Sequence, residues 1–107
     1  MANNLPPGSD RIVVKADPDI ADLIPGFLEN RQRDVIAIRT ALADDDFSTI
    51  SFRAHSMKGA GAGYGFEGIT EIGAEMERQA KASDRSGIAQ TLTALENYLG
   101  SVQVEYE

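Results

Sequence analysis

The only histidine of the chain, His55, stands in the stretch "RAHSMKGAGAGYGFEG", residues 53–68. Lys58 follows three residues later, and glycines occupy 59, 61, 63 and 65. An imidazole with a pKa near 6.5 offers a neutral ring nitrogen close to neutral pH. That nitrogen can attack an electrophile, move a proton or ligate a metal. One histidine and no cysteine argue against a metal site built on imidazole or thiolate. No carboxylate lies near His55 in sequence, which makes it a poor acid/base centre.

Helical geometry positions these groups. Residues 47–64 repeat apolar or small side chains at Phe47, Ile50, Ala54, Met57, Gly61 and Tyr64, a 3-4-3-4-3 spacing that predicts one buried seam. At 100° per residue, His55 points roughly 130° away from that seam and faces solvent. Lys58 lies roughly 70° from the seam on the same side. Gly59 falls almost opposite the seam, one turn beyond His55. Helical glycines cost about 1 kcal/mol each relative to alanine. Gly61 has a packing reason, since it lies on the seam. Gly59 has none, and its missing side chain leaves room beside the imidazole.

The same stretch excludes a nucleotide loop. "GAGAGYG" does not satisfy G-x-G-x-x-G, no strand precedes it, and the lysine comes before the glycines. Residues 47–66 carry Arg53 and Lys58 but no Asp or Glu, a locally basic patch that suggests an anionic visitor. The whole chain has a net charge of −7, which disfavours nucleic acid and anionic membrane as partners.

The 107 residues suffice for one domain with one core. Residues 1–16 read as a flexible lead-in, with Pro6-Pro7 in a polar tail at 1–10. The apolar run at 12–14 has no second strand in view and reads as extended chain. Asp17-Pro18 starts a short helix near 18–24. A long helix follows at about 25–43, with Ile24, Leu28, Val35, Ile38 and Leu42 on its stripe. Asp45 or Asp46 caps the next helix, and Gly65 ends it in the left-handed conformation. A third helix spans about 67–81, with Ile69, Ile72, Gly73, Met76 and Ala80 inward. A fourth runs from about Ser86 towards the C-terminus, with Ile88, Leu92, Leu95, Leu99 and Val102 as its seam. Short joints between narrow seams predict an all-α, antiparallel up-down-up-down four-helix bundle over residues 17–107, with a short extra N-terminal helix. Met57, Met76 and Tyr64 are expected in the core. No run approaches the ~20 apolar residues that span a bilayer, and no signal-like segment opens the chain, so a cytoplasmic location is expected.

The stretch "AHSMKGAGAGYG" resembles the signature of the histidine-containing phosphotransfer (HPt) domain family. The family pattern places a histidine, a lysine three later, a glycine next and a second glycine six further on. Here these are His55, Lys58, Gly59 and Gly65. "EMERQAK", with Glu77, is similar to the family's helix after the glycine turn, and the resemblance covers about residues 18–100. It implies a phosphorelay module in which His55 takes a phosphoryl group from, and returns it to, receiver-domain aspartates. Lys58 would neutralise phosphoryl charge, Gly59 would give steric access, and Gly65 would be structural. The partners implied are response-regulator receiver domains and a hybrid histidine kinase. The chain would need no cofactor or metal of its own, with Mg²⁺ on the receiver, and would have no autonomous kinase activity. Phe52, exposed one turn before His55, is a candidate docking residue, with Ser51, Ser56 and Ala62 as small neighbours. Packing of Phe52 against the N-terminal helix is the competing expectation. A monomer is expected. The rival function is a non-catalytic helical adaptor or dimerisation bundle that keeps the motif without the chemistry.

Overall fold

The computed structural model describes residues 11–106. Strand β1 (Ile12–Ala16) leads into a 3-10 turn of helix (Pro18–Leu23). Four helices follow: α1 (Ile24–Ala43), α2 (Phe47–Tyr64), α3 (Glu67–Lys81) and α4 (Arg85–Ser101). Strand β2 (Val102–Tyr106) closes the order. Each helix packs on its chain neighbour and α4 returns to α1, giving the expected four-helix bundle.

Local chemistry sets the joints. Asp17 caps the 3-10 segment by accepting from the Asp19 amide at 2.9 Å, with Pro18 next in the first turn. Pro25 falls in the first turn of α1, where its missing N–H leaves no bond unmade. Asp46 caps α2 by accepting from the Thr49 amide at 3.1 Å. Gly65 ends α2 at φ 83°, and the following Phe66 amide reaches back to Gly61 O at 2.8 Å. Phe66 then turns fully inside, against the Phe27 ring.

The core holds Ile38 from α1, Ile50, Ala54 and Met57 from α2, Ile69 and Met76 from α3, and Ile88 and Leu95 from α4, all shut off from solvent. Each such large side chain contributes about 1.5–3 kcal/mol by leaving water. Tyr64 is half-buried and stacks on Phe27 with centroids 4.6 Å apart. Gly61 and Gly73 let α2 and α3 approach closely. A Cβ on Gly61 would lie 2.7 Å from the Thr70 amide, and one on Gly73 would lie 2.9 Å from Ala54 O.

Two expectations need correction at the ends of the bundle. Residues 12–14 are not a lone extended lead-in: β1 pairs in parallel with β2, Ile12 opposite Val102 and Ala16 opposite Tyr106. The fourth helix likewise does not continue towards the C-terminus. It stops at Ser101, and Val102 is extended at ψ 136°. The alternation Val102, Val104, Tyr106 against Gln103, Glu105 is the period of a strand. It was hidden behind the seam that Val102 extends. Val102 and Val104 still pack on the core, as do Val14 and Ala16. The tail expected at 1–10 lies outside the described residues. Among the described residues, no helix is long and apolar enough to cross a membrane.

Candidate functional site

His55 stands in the middle of α2 with its side chain 68 % exposed. The close crossing at Gly73 brings α3 alongside. Glu77 lies one turn beyond Gly73 on the same face. Its carboxylate is consequently laid across both residues of the motif. Glu77 Oε2 is 3.0 Å from His55 Nδ1, and Oε1 accepts from Lys58 Nζ at 2.9 Å. Lys81, one turn further along α3, adds its Nζ at 3.3 Å from Oε2.

Glu77 is only 12 % exposed, yet its carboxyl is held at about 2, far below its ordinary 4.5. The hydrogen bond from Lys58 is the main cause, helped by Lys81 and His55 and opposed by partial burial. The group is therefore a carboxylate near neutral pH, and a carboxylate only accepts hydrogen bonds. Nδ1 of His55 must then carry the proton and donate it to Oε2. In the neutral ring this leaves the lone pair on Nε2, directed away from Glu77. Lys58 spends one of its three N–H donors on Glu77 and, among the described residues, keeps two. Beside them, a Cβ on Gly59 would meet nothing within 4 Å. Neither packing nor backbone conformation demands glycine there.

The absence of a carboxylate near His55 in sequence proves misleading, because α3 supplies one. The basic patch is also corrected. Lys58 is paired with Glu77, and Arg53 donates to Asp34 of α1 at 3.0 Å. Sequence reasoning gave neither acid a role. For Glu77 a signal existed: it stands four residues after the seam glycine Gly73 and four before Lys81.

Phe52 is 72 % exposed and so is not packed against the N-terminal helix at Pro18–Leu23. Phe52 and Ser56 line one cavity of about 280 Å³ between α1 and α2. Ser51 is half-buried, and Ala62 is exposed near the end of α2. Ala62 borders a different cavity of about 500 Å³, with Gly65 and Glu71, which His55 does not line. The structure thus brings Phe52 and Ser56 together at one cavity, which Ser51 and Ala62 do not line.

Comparison with curated proteins and with solved structures gave no match. The Hpt domain family does match, over residues 22–105. That span takes in all four helices of the bundle with the His55, Glu77 and Lys58 cluster at its flank, and the chain belongs to the Hpt domain family.

Proposed function

We propose that this protein carries phosphoryl groups between receiver-domain aspartates, with His55 as the residue that accepts and returns them. Hpt domains serve histidine phosphotransfer in two-component signalling and interact with receiver domains and histidine kinases. The observation that carries the finer reading is the Glu77 bond to His55 Nδ1, because it leaves the exposed Nε2 as the nucleophile.

In the forward step, the Nε2 lone pair attacks the phosphorus of an aspartyl phosphate. The Nε2–P bond forms as the P–O bond to the aspartate breaks, and that bond's electron pair leaves with the aspartate carboxylate. The imidazole ring gains positive charge, which the Glu77 carboxylate at Nδ1–H stabilises. The two free donors of Lys58 meet the phosphoryl oxygens, and the open space at Gly59 admits them. Transfer of this kind depends on positioning and charge neutralisation more than on covalent help. The receiver contributes its own acidic pocket and Mg²⁺. The reverse step runs through the same groups.

The test is incubation with a panel of phosphorylated receiver domains. The expected product is an acid-labile, base-stable label on the wild type, absent from His55→Gln. A label that survives in His55→Gln overturns the assignment of the residue. A protein that binds receivers yet is labelled by none is the adaptor instead.

A further inference from the structure

The cavity beside Phe52 has a charge pattern that the phosphoryl site does not use. Asp34 is 7 % exposed and lies between two guanidinium groups. Its Oδ2 accepts from Arg31 Nε at 2.8 Å and its Oδ1 from Arg53 Nη1 at 3.0 Å. A guanidinium has five N–H donors, and Asp34 takes one from each. Arg33, on the same rim, donates to Asn30 at 2.7 Å. Its Glu29 partner stands 3.6 Å away, and both side chains are solvent-exposed, an arrangement that neutralises weakly. Three of the chain's ten basic residues therefore surround one cavity, in a protein of net charge −7, with a single carboxylate inside it.

The donors are also held in place. Arg31 is buried with its guanidinium 4.9 Å over the Phe27 ring, and Asp34 fixes both it and Arg53. The remaining wall is the exposed ring of Phe52. On a helix, Phe52 and Ser56 lie roughly 60° and 100° round from His55. A domain that covers the imidazole also covers this rim.

We propose that this cavity receives an acidic side chain of the receiver domain that exchanges phosphoryl with His55, with an apolar neighbour of that acid covering Phe52. The proposal rests on the phosphotransfer reading. A carboxylate fits the planar fork of a guanidinium with two parallel bonds, and three guanidinium side chains line this cavity. A receiver with lysine at that position meets like charge in a partly desolvated site and is rejected. The cavity thereby selects among receivers that present the same aspartate chemistry to His55.

The test uses the full chain and the receiver from the panel that phosphorylates it fastest. Arg33 is exposed, so Arg33→Glu keeps the fold. It is expected to raise the half-saturating receiver concentration about tenfold, with the limiting transfer rate within twofold of wild type. Changing one acidic residue of the receiver to lysine should restore half-saturation for Arg33→Glu and impair it for the wild type. Unchanged half-saturation in Arg33→Glu, or a loss confined to the limiting rate, overturns the proposal. If no receiver transfers phosphoryl, calorimetric titration of the same receivers separates the two readings. Binding weakened by Arg33→Glu upholds the cavity and sinks phosphotransfer, whereas an absence of binding sinks both.

Discussion

The amide nitrogen of Lys58 lies 2.7 Å from where a side chain on Gly73 would begin. Backbone meets backbone at that point, and the reach of Glu77 to His55 depends on it. Gly73→Ala should force α3 outward, at a cost of about 1–3 kcal/mol. The urea midpoint and the phosphotransfer rate should fall together. A wild-type midpoint in this variant would show that the two helices part without strain.

Glu77 makes the protein acid-sensitive in a defined window. A carboxyl held at about 2 against an ordinary 4.5 adds stability above pH 4.5. Between those values the unfolded chain binds more protons than the folded one, so stability drops as pH falls from 4.5 towards 2. Glu77→Gln should flatten the urea midpoint across that range. A residual slope should remain from Asp46 and Glu75, which Thr49 and Arg78 respectively hold low. The same variant no longer fixes the proton on Nδ1, and transfer should slow by about tenfold or more. Equal slopes for wild type and variant, or equal rates, would count against Glu77.

Lys58→Ala should slow transfer by about tenfold to a hundredfold, a modest loss for an electrostatic donor because water shares the task. Its circular dichroism should match the wild type, since Glu77 keeps Lys81 and His55. An unchanged rate would remove the lysine from the mechanism.

Gly59 separates stability from access. Gly59→Ala should stabilise the protein by about 1 kcal/mol, because α2 is helical there and a Cβ meets nothing. Gly59→Leu should also fold, yet accept phosphoryl from receivers much more slowly. Undiminished transfer by the leucine variant would falsify the steric role.

Tyr98 offers a check on the core. The residue is buried, with 7 % exposure, and its hydroxyl has no hydrogen-bond partner among the described residues. Burial pushes its ionisation up. Tyr98→Phe removes an unsatisfied polar group, so the thermal midpoint should hold or rise by the equivalent of about 1 kcal/mol. A marked fall would reveal a partner for the hydroxyl.

The helices were legible because their signals are local. The seam from Phe47 to Tyr64, the Asp46 cap and the Gly65 stop are each written within a few residues. The family resemblance rested on the same kind of evidence, His55 and Lys58 one turn apart with glycines following. What eluded the sequence depends on pairs far apart in the chain. The ladder between β1 and β2 joins residues about ninety positions apart, and neither short run identifies itself without the other. Glu77 reaches His55 from another helix, and Asp34 reaches Arg53. Charge counted along a single helix suggested an uncompensated basic surface, whereas neighbouring helices neutralise much of it.

The parallel ribbon has a mechanical consequence. Chain enters it beside Ile12 and leaves beside Tyr106, at opposite ends of a strip roughly 13 Å long. Tension applied through the two termini would load its rungs simultaneously, in shear. They would resist as a set, instead of unfastening one at a time, and the helices behind them would feel the pull last.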